Sequence, residues 1–548
     1  MIMVIFMTAP FKTLLAQDLT WYASGNNGVV AAGPKESVQA GLNILSQGGN
    51  AVDAAVAIIF NQAVSDYGMF SIGGEVPFMF YNNSNGIVLV YNGMGGAPLD
   101  KGAIDWYYTN GIPDRRPGGI KTATVPSAIS TCLKALEHKG TMSFEQIITP
   151  TLNLLDENTE SWYASLSRTL RRLIETEKNT QGSREQKIRA ARNRFYKGDI
   201  ADELNDFYIS SGGFLRKADL EAHETIVEEP ITVNYRGYII HKCDTWTQGP
   251  VLLQTLKLLE NFDIKDMGYL SDDYVHVTTE AMKLAFADRD KYYGDPQFVD
   301  IPLKKLLSDE YTRKRYPLID MNHASREIRP GDPYKMNPII NAGEYHPGKG
   351  GTTTCVVVDK WGNVVAATPS SNPEYAICEK LGIAHNTRLN TFNIQNGHPN
   401  SIEPGKRPRI TLTPTIVMKN GKPVLALSVA GGDMQDQVTL QLLLDFIEFG
   451  KMPKDAITAP RFQTYQTEDS FNSDPDPTSR IFKIGLLEIN AIDQHVISNL
   501  KSRGHEISVI DKEIAYPVMV YIDHVTGISY AASQPRKINS KYSGALNK

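Results

Sequence analysis

Cysteine is scarce and unpaired in this chain. Cys132, Cys243, Cys355 and Cys378 are the only four in 548 residues, and no two form a Cys-x-x-Cys pair. That spacing excludes a disulfide framework and a thiolate zinc site, and it suits a reducing compartment. The 11 histidines are scattered and no His-Glu-x-x-His pair occurs, so neither a metal nor a cofactor is expected. Charge of one sign is lacking too: 56 basic against 61 acidic residues, mixed along the chain, leave a net −5. Such a balance offers no polyanion-binding face, and nucleic acid is not an expected partner. No internal repeat or low-complexity tract occurs, and no later apolar run approaches the roughly 20 residues of a membrane span. What remains, 41% apolar and 21% charged, describes an ordinary globular protein.

Residues 1–17 stand apart. Met1 to Met7 is almost wholly apolar, yet no basic segment precedes it, and Pro10 and Lys12 interrupt it early. The stretch reads as an N-terminal extension or a weak leader. The expected compartment is the cytoplasm; a leader would make the protein secreted or periplasmic.

The most informative segment is Gly348-Lys349-Gly350-Gly351-Thr352-Thr353-Thr354, which runs directly into Cys355-Val356-Val357-Val358-Asp359. A glycine-rich stretch opens onto a threonine at the head of a strand. Such a junction is an ordinary loop in most proteins. If the Gly351–Thr352 bond broke, however, Thr352 would carry a hydroxyl and a free α-amine, a nucleophile with its own base titrating near 7.7–8.0.

The surrounding pattern reads as layers. Lys35 to Gln47 is helical and stops at Gly48-Gly49, and Asn50 caps a second helix from Ala51 to about Ala63, whose alanines imply close packing. Pro77–Tyr81 and Ile87–Tyr91 form a hairpin after the turn Ser71-Ile72-Gly73-Gly74. Met142 to Lys217 is mainly helical, with Arg168 to Arg194 a solvated charged face. Val275 to Tyr293 is a further helix. Residues 329–351, rich in proline and glycine, form an exposed linker. Hairpins follow at Thr354–Asp359 with Val364–Thr368, and at Thr413–Met418 with Pro423–Val429; after Gly431-Gly432 a helix runs to about Phe449. Strands and helices in both parts predict an α+β core with helices outside.

Seven segments, in this order, resemble the γ-glutamyltranspeptidase family of N-terminal-nucleophile hydrolases. They are Gly41-Leu42 through Gly48-Gly49-Asn50-Ala51-Val52-Asp53; Glu280 to Arg289 with Gly294-Asp295-Pro296; Thr352 to Asn363; Pro404-Gly405-Lys406-Arg407-Pro408; Leu412-Thr413-Pro414-Thr415; Ala430-Gly431-Gly432-Asp433; and Ala459-Pro460-Arg461-Phe462. The resemblance implies a four-layer αββα sandwich, cut before Thr352 into two chains that stay together: residues 18–351, with an inhibitory linker at about 329–351, and residues 352–548. It implies that Thr352 is the nucleophile, that Ser370 positions it, that Asn372 contacts substrate, and that Gly431 and Gly432 form the oxyanion hole. Thr352 is preferred over Thr353 and Thr354 because it alone follows the glycines and stands seven residues before Asp359.

The departures concern substrate. The transpeptidases hold the glutamyl α-carboxylate with an arginine before an Ala-Pro, but Tyr91 to Pro98 contains none. They hold the α-ammonium with an aspartate where this chain has Thr391, and they carry a serine pair where it has Ile410-Thr411. Arg388 stands where they often carry glutamine, and its guanidinium could hold a carboxylate or form a structural salt bridge. The leading expectation is a self-processing amidohydrolase or acyltransferase acting on a small carboxylate-bearing amide, with water or an amine as acceptor. Substrate contacts fall to Asn372, Arg388, Thr391 and Thr411. A true γ-glutamyltranspeptidase and an uncleaved non-catalytic scaffold are the alternatives.

Overall fold

The structure is a computed structural model describing residues 19–114, 118–158, 160–335, 351–371, 376–535 and 541–547. Two seven-stranded antiparallel sheets organise it. The first runs Tyr542–Ala545, Gly28–Ala32, Cys355–Asp359, Val364–Ala367, Phe78–Asn82, Ile87–Asn92 and Ile226–Glu228. The second runs Tyr22–Gly25, Ile528–Ser533, Tyr516–Asp523, Lys422–Ala430, Thr415–Lys419, Tyr238–Lys242 and Ile231–Tyr235.

The period-2 pattern of each strand decides what packs where. Val29, Ala31, Val356, Val358, Val364 and Ala366 face Ile416, Ala426, Val518 and Val520 of the second sheet in one buried cluster. The alternate residues Val30, Ala32, Cys355, Val357, Val365 and Ala367 meet the helices Lys35–Ser46 and Ala51–Ser65 on the other face. The second sheet likewise turns Val417, Leu425, Leu427 and Met519 toward the helices Pro250–Leu259, Asp272–Tyr292 and Met434–Ile447. The α+β class is therefore as expected. Among the described residues no helix is long and apolar enough to cross a membrane.

Most helices lie where the sequence places them. Asn50 caps Ala51–Ser65 through its Oδ1, which accepts from Val52 N at 2.9 Å and Asp53 N at 3.0 Å. Asp359 Oδ2 accepts from Ala51 N at 2.9 Å and so ties that helix to the end of the strand after Thr352. The charged stretch folds as Ser161–Asn179 and Arg184–Lys197, with Arg171–Asp156 and Arg194–Glu175 pairs on its surface. Of the expected linker, residues 336–350 lie outside those described.

Candidate active site

The end of the strand Val364–Ala367 carries the chain to Ser370, which the turn at Gly73-Gly74 grips from behind. Glu75 N donates to Ser370 O and Ser370 N to Glu75 O, each at 3.0 Å. Only glycine fits at position 74, because a Cβ there would stand 2.3 Å from Ser370 O. Thr353 N donates to Pro369 O at 2.9 Å, which lays Thr352 against Ser370. Thr352 Oγ1 then lies 2.8 Å from Gly351 O and 3.2 Å from Ser370 Oγ, and Ser370 Oγ also bonds Gly351 O. Both hydroxyls thus converge on one carbonyl, that of the peptide joining Gly351 to Thr352.

The other two threonines are committed differently. Thr353 Oγ1 accepts from Lys541 Nζ at 3.0 Å, a lysine paired with buried Asp66 at 3.1 Å. Thr354 is fully buried and its Oγ1 has no partner among the described residues. Thr352 alone reaches Gly351 O and Ser370.

Behind Ser370 sits a buried ion pair. Arg388 Nη2 donates to Ser370 Oγ, and Arg388 Nε to Glu75 Oε1. Both side chains are sequestered, and burial pushes the Glu75 carboxyl up to about 7 while Arg388 pulls it back. Arg388 is fixed from several sides. Asn386 Oδ1 accepts its N–H at 3.1 Å, and the Phe471 ring lies under the guanidinium, 5.5 Å from centroid to carbon. Thr391 Oγ1 donates to Arg388 O at 2.8 Å, so that hydroxyl closes the short helix Arg388–Thr391.

Phe471 leads on to the glycine pair. A Cβ on Gly432 would meet its ring at 3.4 Å, so Gly432 and Arg388 both border the Phe471 ring. Gly431 and Gly432 take φ of 154° and 62° between the strand Lys422–Ala430 and the helix Met434–Ile447, a break that favours glycine. Within the described residues no carbonyl or side chain takes up either N–H. Asp433 anchors the turn: it pairs with Arg289, and its Oδ2 accepts from Ser470 N at 3.0 Å. Thr411 is buried beside the same turn. Its carbonyl meets Gln435, whose amide nitrogen donates to it at 3.0 Å when turned inward, and its Oγ1 has no partner among the described residues.

The fold thus joins Gly351, Thr352, Ser370 and Arg388 through hydrogen bonds, with Thr391 on the Arg388 carbonyl and Gly432 against the Phe471 ring that Arg388 also meets, while Thr411 is tied to Gln435 after the glycine pair. Asn372 lies outside the described residues. Glu75 was missed by sequence reasoning, although a lone carboxylate between Gly73-Gly74 and the apolar run Val76 to Phe80 is a visible anomaly. The scattered histidines also hid one cluster. His276, Glu280 and His505 meet in the core, but Glu280 is paired with Lys283 and Arg329, and His276 is bonded to His505 Nε2 and Asp320 O. The Glu280 charge is thus already balanced by two cations, while His505 Nδ1 has no partner among the described residues.

A family profile, that of Gamma-glutamyltranspeptidase, matches residues 37–181 and 163–543. The chain belongs to the γ-glutamyltranspeptidase family. Among its relatives, the glutathione hydrolase proenzyme of Bacillus subtilis (strain 168) is 31% identical over 92% of this chain and 89% of its own. The Acylase ACY 1 proenzyme of Pseudomonas sp. (strain SE83) is 29% identical over 91% of each. Among solved structures, cephalosporin acylase from Bacillus halodurans superposes with a TM-score of 0.80 at 25% identity, covering 100% of both chains. That of LmbA2991HD reaches 0.84 at 32% identity, covering 96% of this chain and 99% of the other. The chain is a γ-glutamyltranspeptidase-like enzyme of the hydrolase and acylase type.

Proposed function

We propose that this γ-glutamyltranspeptidase-family chain is a precursor that cuts itself between Gly351 and Thr352. It then works as an N-terminal-threonine amidohydrolase or acyltransferase on a small amide bearing a carboxylate. The observation that carries this reading is the pair of hydroxyls, Thr352 Oγ1 and Ser370 Oγ, on Gly351 O. After the cut, Thr352 Oγ1 attacks the substrate carbonyl and its α-amine takes the proton, being partly unprotonated near neutral pH. The Gly431 and Gly432 amides hold the oxyanion at a helix start, where the dipole favours negative charge. Water or an amine then resolves the acyl-enzyme, and Asn372 completes the substrate contacts.

The two products, residues 18–351 and 352–548, remain one αββα sandwich because strand pairs cross the cut. Gly28–Ala32 pairs with Cys355–Asp359, Phe78–Asn82 with Val364–Ala367, and Tyr238–Lys242 with Thr415–Lys419. Separating them would expose both buried sheet faces.

Substrate choice turns on Thr391. Its hydroxyl proton goes to Arg388 O, and a threonine cannot offer the negative charge that a glutamyl α-ammonium requires. An acyl group without an ammonium suits this site better. The identity with a glutathione hydrolase supports the second reading, a γ-glutamyl hydrolase or transferase. Release of 4-nitroaniline from glutaryl- and γ-glutamyl-4-nitroanilide by the cut enzyme separates the two. A higher kcat/KM for the glutaryl amide supports the first; parity or reversal supports the second; activity surviving in Thr352→Ala would contradict both.

A further inference from the structure

We propose that Glu75 and Arg388 are a positioning pair for self-cleavage: Glu75 anchors the Arg388 guanidinium, which fixes Ser370 so that its hydroxyl proton points at the Gly351 carbonyl. The proposal rests on the self-cleavage reading above and assigns to it two residues that touch neither substrate nor nucleophile.

Proton counting sets the direction. A guanidinium has five N–H donors and no acceptor, so at Ser370 Oγ it can only donate. Ser370 has one hydroxyl proton, and Gly351 O can only accept. The chain of bonds therefore runs from Arg388 to Ser370 to Gly351 O. Each donor in such a chain strengthens the next, and this one begins at a cation shielded from solvent. Without Arg388, Ser370 could equally accept from Thr352 Oγ1, only 3.2 Å away, and turn its own proton elsewhere.

The chemistry needs that polarisation. Thr352 Oγ1 forms a bond to the Gly351 carbonyl carbon, and the C=O electrons move onto oxygen, where Ser370 O–H stabilises them. The Gly351–Thr352 C–N bond then breaks, and the Oγ1 proton ends on the departing Thr352 nitrogen, leaving an ester. Water hydrolyses that ester to the Gly351 carboxylate and restores the Thr352 hydroxyl beside a free α-amine. Amide and water become acid and amine, with no other reactant.

Glu75 gives the arginine its aim. It takes the Nε–H, so the guanidinium cannot rotate without breaking a buried ion pair. The Arg388 carbonyl is held by Thr391 and its N–H by Asn386. Two donors of one planar fork serve two targets, an arrangement a lysine ammonium does not reproduce. This placement assigns Arg388 to the protein interior rather than to a substrate carboxylate.

The test follows the appearance of the chain beginning at Thr352, by intact mass, in freshly made wild type, Arg388→Gln, Arg388→Lys, Glu75→Gln and Ser370→Ala. Melting temperatures are read on the same samples. Arg388→Gln and Glu75→Gln are expected to slow cleavage roughly ten- to a hundredfold, less than the roughly hundred- to thousandfold cost of deleting an oxyanion donor outright, because both act through Ser370. In the Ser370→Ala background, Arg388→Gln is expected to add no further slowing, because its route is gone. Should Arg388→Gln fail to fold, Arg388→Lys carries the comparison. Wild-type rates in the folded variants would overturn the proposal, as would equal slowing with and without Ser370, which marks a merely structural role. If wild type itself stays uncut, it is the self-cleavage reading that fails.

Discussion

Acid should find this protein through His385, which sits in the wall behind Ser370. The ring is fully buried, with Nε2 3.0 Å from Tyr208 Oη and Nδ1 3.2 Å from Ala376 O. Burial pushes its pKa from 6.5 down to about 4, against a small opposing pull from the Ala376 carbonyl. The unfolded chain therefore takes up a proton below pH 6.5 that the folded chain refuses until about 4. Stability from this group is whole above 6.5 and is lost as pH falls, by about 1.4 kcal/mol per unit and about 3 kcal/mol in all. The net curve of wild type hides this, because Glu75, Glu228 and Asp445, each raised by burial to about 7, gain stability over much of the same range. His385→Gln isolates it. In an uncut Thr352→Ala background, the melting-temperature difference between His385→Gln and its parent is measured from pH 7 to 4.5. It should shift in favour of the variant as pH falls, by roughly 2–3 °C for a chain of this size. A difference that does not change with pH would show that the ring titrates as if exposed and would refute the burial argument.

Other outcomes follow from single contacts. Gly74→Ala places a Cβ 2.3 Å from Ser370 O, so it should cost about 1–3 kcal/mol and slow self-cleavage together, read by melting and by mass. Asp433→Asn breaks the buried pair with Arg289 that anchors the Gly431-Gly432 turn; a loss of about 3–5 kcal/mol and a fall in kcat are expected, measured by unfolding and by anilide hydrolysis. Asp66→Asn leaves Lys541 with a neutral partner beside Thr353, and should lower the melting temperature by a few degrees at most while leaving cleavage at Thr352. Chelation with EDTA should leave the cleavage rate unchanged, since Glu280 is already neutralised by Lys283 and Arg329; a slowed rate would point to a cation at His276 and His505.

Local patterns were readable where neighbours in sequence are neighbours in space. The hairpin after Thr352 and the alanine-rich helix Ala51–Ser65 both follow from period and composition. Sheet order was not readable in this way. Gly28–Ala32 lies between Tyr542–Ala545 and Cys355–Asp359, partners hundreds of residues away that no local pattern can nominate. The same limit governs the site. Thr352 and the glycine pair stood out by residue type, whereas Arg388 could be read as a substrate clamp or a salt bridge until Glu75, 313 positions earlier, came into contact with it. Thr391 is marked by its position alone in the sequence, and its hydroxyl bond to Arg388 O becomes visible only in the fold.

The central claim is that this chain makes its own nucleophile, and the intact mass of the denatured protein beside Thr352→Ala tests it most directly. The account predicts two chains from wild type, the second beginning at Thr352 and 197 residues long, and one uncut chain from the variant. A single 548-residue chain from both, or a cut that survives in Thr352→Ala, would contradict it.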